Sequence, residues 1–247
     1  MKETRILMGM PIKIEIVEKS ATEDIFGKAF SYFQYVDDKF SVYKNNSEIT
    51  RINEGKIKTE DWSDDMREIF ILSEKTKRET GGYFDIQKAD GKYDPSGLVK
   101  GWAIWKVSKL LKENGFKNFY VDAGGDIQVS GKNGEDKKWS IGIRDPFHLD
   151  KIVKVVYLDN VGIATSGIYE RGNHIYNPKN RAEKILDIVS LSVIGPNVYE
   201  ADRFATASFA MGNQGIFFLD RLKGFEGYMI DKNGIGTMTS GFEKYTI

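Results

Sequence analysis

The 247-residue sequence contains no cysteine and only two histidines, His148 and His174. The absence of cysteine excludes disulfides, iron–sulfur clusters, cysteine-based zinc sites and a thiol nucleophile. Two histidines are too few for a three-histidine zinc site. Any bound metal must therefore be coordinated mainly by oxygen ligands, as Mg²⁺, Ca²⁺ and Mn²⁺ are in proteins.

Net charge and long apolar runs are also absent. The 36 basic residues balance 36 acidic ones, which argues against a nucleic-acid partner held by a basic surface. No apolar run approaches the length of about 18 residues that a transmembrane helix needs. Gly9, Pro11 and Lys13 interrupt the N-terminal apolar stretch, and the sequence has no cysteine for a lipobox, so we expect neither a signal peptide nor a lipid anchor in the chain as written. We expect a cytoplasmic protein for the chain as written, or an exported one if a signal was removed.

The hydrophobic pattern predicts interleaved helices and strands. Ile12, Ile14 and Ile16 alternate with polar residues, which indicates a strand over 11–17. Helices are predicted at 20–40, 63–80, 98–114, 199–211 and 214–223. Further strands are predicted at 119–123, 127–130, 139–144, 154–158, 161–164, 185–194, 225–230 and 236–240, with hairpin turns at 132–135 and 231–234 and pairing of 154–158 with 161–164. The irregular order favours an α+β fold in a single domain over 1–247.

The first candidate site is the segment 94–103, where a turn runs into the third predicted helix. Free N–H groups at a helix start suit an anion such as phosphate. Lys100 is expected in the first turn, where a cation is unfavourable to the helix dipole, and this suggests an anionic partner. The alternative is a helix capped by Asp94 or Ser96 with Lys100 in solvent, and from the residues alone this is the more frequent case.

A second candidate is the pair Asp202 and Thr206, which lie four residues apart on one face of a predicted helix. One carboxylate and one hydroxyl suit a hard cation that keeps room for phosphate oxygens and water. An acid near a helix start beside a semi-buried threonine is the alternative. Gly124 and Gly125 join two predicted strands, where they either admit a ligand or form a tight turn.

Ser166 and His174 suggest a hydrolase, but the pattern does not support one. A nucleophile elbow needs glycine two residues before and after the serine, and Ala164 and Ile168 stand there instead. A lone histidine such as His174 is more often structural than catalytic, and we expect His148 at the surface. No Walker A loop, dinucleotide-binding glycine motif or H-E-x-x-H zinc motif is present.

Taken in order, short motifs of the chain resemble the ApbE family, the FAD:protein FMN transferases or flavin transferases. The motifs are Met8-Gly9; Phe40-Ser41-Val42-Tyr43 with Ser47-Glu48-Ile49 and Arg51-Ile52-Asn53; Gly82-Tyr83-Phe84-Asp85; Asp94 with Gly97 and Lys100-Gly101; Gly124-Gly125-Asp126; Thr165-Ser166-Gly167; His174-Ile175 with Pro178; and Ala201-Asp202 with Ala205-Thr206. They extend over nearly all of the chain. Two departures follow His174, because Asn177 replaces the family's usual Asp before Pro178, and Asn180-Arg181 replaces the usual Thr-Gly.

The resemblance implies an antiparallel β-sheet with packed helices, related to the T-fold, and a flavin site in a cleft. The residues that would bind FAD are Met8, Tyr43, Tyr83, Phe84, Asp85, Asp94, Lys100 and Ile175. Those that would hold Mg²⁺, or Mn²⁺, are Gly97, Asp202, Ala205 and Thr206. The implied catalytic residues are His174 as a general base, Asp202 through the metal, and Lys100 facing the pyrophosphate.

The implied reaction is a post-translational flavinylation. The FMN moiety of FAD would pass to a Thr or Ser hydroxyl of an acceptor flavoprotein, forming a phosphoester and releasing AMP in a Mg²⁺-dependent step. The same site could belong to a Mg²⁺-dependent FAD pyrophosphatase that gives FMN and AMP, or to a non-catalytic FAD-binding protein. The expected partners are FAD and the acceptor protein or domain, with no nucleic acid and no membrane anchor. The sequence leaves the acceptor and the oligomeric state open.

Overall fold

The computed structural model describes residues 1–168, 175–181 and 184–246. The strands are β1 (Lys2–Leu7), β2 (Met10–Ile16), β3 (Phe119–Ala123), β4 (Asp126–Ser130), β5 (Trp139–Arg144), β6 (Ile152–Leu158), β7 (Gly162–Gly167), β8 (Ile188–Gly195), β9 (Glu226–Asp231) and β10 (Gly236–Met238). The helices are α1 (Glu23–Phe40), α2 (Glu48–Asn53), α3 (Asp64–Glu79), α4 (Ser96–Glu113), α5 (Val198–Ala210) and α6 (Gln214–Asp220), with 3₁₀ turns at Thr59–Asp61 and Phe242–Tyr245.

Eight strands form one antiparallel sheet in the order β1-β2-β3-β4-β7-β8-β9-β10. Strands β5 and β6 form a separate two-stranded sheet that packs on one face, where Trp139 and Val156 share an apolar cluster with Ile127 of β4. The helices cover the other face. Strand β4 is therefore buried along its whole length, since Gln128 on the opposite side accepts the Val198 N–H at the start of α5.

The helical layer has two parts that meet where α4 and α5 pack together. Helices α1 and α4 cover β2 and β3, with Phe33 and Trp102 fully buried in that core. Helices α5 and α6 cover β7, β8 and β9 around Phe209. Side-chain caps help to fix the helix starts, because Ser63 and Asn197 accept backbone N–H groups from the first turns of α3 and α5. The junction of α4 and α5 is the part of the fold that positions the site.

Arg203 fastens α5 to α3 from a buried position. Its guanidinium, 3% exposed, forms ion pairs with Glu200 and Glu79 and donates to the Thr76 hydroxyl at 3.3 Å. Removing one partner of a buried ion pair leaves the other charge without a counterion. We therefore expect Arg203→Met to lower the free energy of unfolding in urea by about 3 kcal/mol. Glu79 is 38% exposed, so Glu79→Gln should cost less than about 1 kcal/mol, and equal costs for the two variants would contradict this assignment.

The α+β class, the antiparallel sheet and the packed helices are confirmed, whereas a single domain over 1–247 stays a prediction. The predicted pairing of 154–158 with 161–164 is wrong, because β6 pairs with β5 and β7 pairs with β4 and β8. The predicted turn at 132–135 does not join a paired hairpin either, since β4 belongs to the main sheet and β5 pairs with β6 in the separate one. None of the helices within the described ranges has both the length and the apolar character needed to cross a bilayer.

Candidate active site

A cleft of about 530 Å³ opens at the junction of α4 and α5. Its lining combines the start of α4, one face of α5, the β3–β4 turn, the end of β7 and three loop segments. The lining residues are Tyr43, Tyr83, Phe84, Asp85, Ile86, Lys88, Asp94, Ser96, Gly97, Lys100, Gly124, Thr165, Ser166, Gly167, Ile175, Tyr176, Pro178, Asp202 and Thr206. A concave site of this size with a few convergent polar groups is typical of a small-molecule site.

The floor of the cleft is made where two pairs of residues, each spaced by four, face each other. On α5 these are Asp202 and Thr206, and on α4 they are Gly97 and Gly101. The Thr206 hydroxyl donates to the Gly97 carbonyl at 3.2 Å, and the Asp202 carboxylate accepts the Gly101 N–H at 2.8 Å. A side chain at position 101 would occupy the place of Asp202, since a Cβ there would lie 2.6 Å from the Asp202 Cβ. The two glycines thus let α5 bring its polar face against α4.

Three charged groups meet beside this contact. The Lys100 Nζ lies 2.6 Å from Asp126 Oδ2, and Asp126 is 1% exposed. The buried Asp202 lies close enough for its pKa to respond to both neighbours. Burial raises the pKa of Asp202 above its ordinary value, the negative charge of Asp126 raises it further, and Lys100 with the Gly101 N–H opposes the shift. With both carboxylates charged, the pocket would carry one more negative than positive charge, and the raised pKa of Asp202 opposes that state.

The donor set at the floor fits a hard divalent cation. Asp202, Thr206 and the Gly97 carbonyl offer oxygen atoms of three kinds, and the excess carboxylate charge favours a cation. Within the described residues no group of three Asp, Glu, His or Cys side chains could hold a metal by itself. A cation here would therefore depend on mixed oxygen donors and on oxygens of a ligand. Ala205 is fully buried in the core around Phe209, so it can offer only its backbone carbonyl.

Two loop segments form the upper walls of the cleft. One is residues 83–88, and the other is residues 175–181, which we call the strap. Arg181 of the strap donates to the Gln87 carbonyl at 2.7 Å, and the Tyr176 hydroxyl donates to the Asp85 carbonyl at 3.3 Å. Lys179 lies 4.6 Å from the ring centre of Tyr83. These contacts join the two walls across the cleft.

Most of the residues predicted to bind FAD line the cleft. Tyr43 is 92% exposed at the mouth, so its ring is open to a flat ligand, and Phe84 reaches the cleft from the core. Asp85 is held by the Lys77 ammonium at 2.8 Å. The members of the predicted set that line the cleft are Tyr43, Tyr83, Phe84, Asp85, Asp94, Lys100 and Ile175. All of their binding roles stay predictions.

One described residue of the predicted FAD-binding set is not in this lining. Met8 lies half-buried at the tip of the β1–β2 turn, with a left-handed φ of 53°, and packs on the helical core instead. His174 lies outside the described residues, so its role as a general base stays a prediction.

The predicted position of Lys100 in the first turn of its helix is wrong, because α4 begins at Ser96 and Lys100 falls in its second turn. The anion-binding argument from the first turn therefore does not apply to it.

Sequence reasoning missed the residues that link distant parts of the site. The sequence does draw attention to Asp126, since it follows the two glycines of the β3–β4 turn. Nothing in that motif, however, indicates Lys100 as its partner. No sequence pattern indicates Tyr176 or Arg181 as site residues, because their partners on the opposite wall are about 90 residues away in the chain. Such contacts become visible only when the walls are brought together.

Comparison with known proteins gives a consistent result. The family model described as "ApbE family" matches residues 8–90 and 86–229. The FAD:protein FMN transferase of Klebsiella pneumoniae (strain 342) is 30% identical over 155 residues, which are 59% of this chain and 44% of that protein. The FAD:protein FMN transferase of Haemophilus influenzae is 29% identical over 166 residues, 62% of this chain and 48% of that protein. The matched part thus spans less than half the length of these relatives.

Solved structures share the fold over the whole chain. The flavin transferase ApbE from Vibrio cholerae has a TM-score of 0.86 at 19% identity, covering 99% of this chain and 98% of that one. The ApbE protein from Thermotoga maritima MSB8 has a TM-score of 0.89 at 18% identity, covering 100% and 99%. At these identities the likeness shows a common fold.

Proposed function

The chain belongs to the ApbE family, and on that premise we propose that it transfers the FMN moiety of FAD to a Thr or Ser hydroxyl of an acceptor flavoprotein. The names of its relatives support this reaction. The observation that carries the proposal is the floor of the cleft, where Asp202 and Thr206 face Gly97 beside Lys100 and the buried Asp126. This arrangement concentrates oxygen donors and one ammonium, which suits a pyrophosphate with a divalent cation.

The reaction exchanges the phosphoanhydride bond of FAD for a phosphoester bond to the acceptor. The acceptor hydroxyl oxygen attacks the FMN-side phosphorus, the bond from that phosphorus to the bridging oxygen breaks, and AMP leaves. Asp202, Thr206 and the Gly97 carbonyl would hold Mg²⁺ or Mn²⁺, whose chemistry is to neutralise charge on the pyrophosphate oxygens. Lys100 adds a fixed positive charge to the lining of the cleft. His174 is the proposed acceptor of the hydroxyl proton.

The upper walls support the binding of the rest of FAD. Tyr43 and Tyr83 present aromatic rings at the cleft, and an aromatic face suits the flat flavin or adenine ring. The contacts between the strap and residues 83–88 set the width between these walls. The walls are thus proposed to select a flat ligand, whereas the floor acts on its phosphates.

The test is incubation of the purified chain with FAD, Mg²⁺ and a candidate acceptor domain. Transfer predicts in-gel flavin fluorescence on the acceptor, a mass gain of one FMN and release of AMP in equal amount. Release of AMP and FMN without labelling of any acceptor would instead identify an FAD pyrophosphatase. Binding of FAD with no release of AMP would identify a non-catalytic flavin-binding protein. Either outcome contradicts the proposal.

The strap gives a separate prediction about FAD binding. Arg181→Ala removes the bond to the Gln87 carbonyl and should loosen the upper walls without touching the floor. A lost charge-assisted hydrogen bond is worth about 1.5 kcal/mol. We therefore expect the KM for FAD to rise about tenfold, with kcat within about twofold of the unaltered chain. Steady-state kinetics of AMP release would measure both values.

The matched control is Arg221→Ala, which removes an exposed arginine after α6. That variant should leave both kinetic constants unchanged. A fall in kcat with an unchanged KM in Arg181→Ala would show that the strap acts on the chemical step rather than on FAD binding.

A further inference from the structure

The charged group of Lys100, Asp126 and Asp202 contains one carboxylate that the proposed reaction does not use. We propose that Asp126 is a positioning residue that holds the Lys100 ammonium away from Asp202, so that the Asp202 carboxylate remains available to a divalent cation. This inference rests on the proposed function, because it concerns the cation site at the floor of the cleft. It assigns a role to the last residue of the Gly124-Gly125-Asp126 turn.

Asp126 is held from two sides at the first position of β4. Its Oδ2 lies 2.6 Å from the Lys100 Nζ on α4, and its Oδ1 accepts the Thr165 N–H on β7 at 3.1 Å. The side chain is 1% exposed, and that of Lys100 is 19% exposed. The carboxylate is thus fixed in place by the sheet, and it fixes the ammonium in turn.

The electrostatics explain why this matters for Asp202. Lys100 directly precedes Gly101, whose N–H donates to Asp202 Oδ2 at 2.8 Å, so the Asp202 carboxylate lies within the span of the Lys100 side chain. A largely buried ammonium without a counterion is costly, so it moves to the nearest carboxylate. If Asp126 carried no charge, that carboxylate would be Asp202. A cation would then have to displace Lys100 before it could bind.

A purely structural role for Asp126 in the β3–β4 turn predicts different behaviour. An asparagine at this position keeps an oxygen for the Thr165 N–H and changes only the charge, so a structural role would survive the substitution. Asp122, on β3 beside the same turn, provides a matched control. Its carboxylate accepts the Gly125 N–H at 2.9 Å and the Tyr120 hydroxyl at 3.0 Å, and no ion pair involves it among the described residues.

The experiment measures Mn²⁺ binding to the purified full chain, with saturating FAD and no acceptor, by electron paramagnetic resonance of free Mn²⁺ at one fixed pH. Asp126→Asn should raise the Kd at least about tenfold, the range found when a partner of a metal ligand is lost. The double variant Asp126→Asn with Lys100→Met should return to within about threefold of the unaltered chain, because no ammonium remains to occupy Asp202. Asp122→Asn should leave the Kd unchanged. Thermal unfolding of each variant verifies that it is folded.

Two results would overturn the inference. One is an unchanged Kd in Asp126→Asn, and the other is a double variant that binds Mn²⁺ as weakly as the single one. The cation site itself is tested by Asp202→Asn in the same assay. If the unaltered chain binds no Mn²⁺, or if Asp202→Asn binds it equally well, the proposed cation site fails and the inference fails with it. If Asp202→Asn loses binding while Asp126→Asn keeps it, only the role of Asp126 is wrong.

Discussion

Asp202→Asn is expected to lower the proposed Mg²⁺-dependent FMN transfer about a thousandfold, which corresponds to about 4 kcal/mol of transition-state stabilisation. The substitution removes the only carboxylate among the three proposed cation donors. Asparagine keeps a side-chain oxygen that can accept the Gly101 N–H, which in the unaltered chain donates to Asp202 Oδ2 at 2.8 Å. Initial rates of acceptor labelling at saturating FAD and Mg²⁺ would measure the loss.

The same variant should not lose stability. Burial and the nearby Asp126 raise the pKa of Asp202, so the charged carboxylate is less favourable in the folded chain than in the unfolded one at neutral pH. Asparagine removes this unfavourable charge and leaves the ion pair between Lys100 and Asp126 in place. The unfolding temperature should therefore stay the same or rise. A substitution that removes activity but keeps stability is typical of a residue that serves function at the expense of stability.

Thr206→Ser supplies the control for this result. Serine retains the hydroxyl that donates to the Gly97 carbonyl, so this variant should keep transfer within about tenfold of the unaltered chain. Full transfer activity in Asp202→Asn would show that the cation, if one is needed, binds elsewhere.

Gly101→Ala is expected to damage both stability and activity. A Cβ at this position would lie 2.6 Å from the Asp202 Cβ and 2.8 Å from the Val198 carbonyl oxygen, and both contacts are too short to persist. The helices must separate, which should lower the free energy of unfolding by about 1–3 kcal/mol. For a chain of this length the unfolding temperature should fall by about 2–4 °C per kcal/mol. Transfer should be nearly abolished, because Asp202 moves away from the donors on α4.

Gly27→Ala is the matched control for this helix substitution. Gly27 also lies inside a helix, but a Cβ there would meet no atom within 4 Å. Alanine is the better helix former, so this variant should gain up to about 1 kcal/mol and keep its activity. Calorimetric unfolding and transfer rates of the two variants should therefore move in opposite directions. A Gly101→Ala chain as stable as Gly27→Ala would contradict the close packing of α4 and α5.

The two elements that sequence reasoning missed have a common cause. Strand β1 lies at the edge of the sheet with most of its residues exposed, so its sequence shows no alternation of apolar and polar residues. Helix α2 has six residues, which is too short for a helical period to appear. Elements with one well-buried face, such as β2 and α1, were predicted almost to their ends because burial imposes the period on the sequence.

The sequence alone determined the chemistry available to the site. Without cysteine and with two histidines, a metal site has to use oxygen, and the spacing of Asp202 and Thr206 places two such oxygens on one face of α5 whatever the rest of the chain does. The helix period and the donor types are local properties, so the sequence is enough to predict them.

The tertiary structure alone decided which groups meet. Gly101 and Asp202 are 101 residues apart in the chain, and Asp126 lies on a strand whereas its partner Lys100 lies on a helix. Their contact depends on α4 and α5 packing on the same face of one sheet, which follows from the burial of apolar side chains far from the site. The sequence gives the charge of each residue, but the packing of the core determines which residue becomes its counterion.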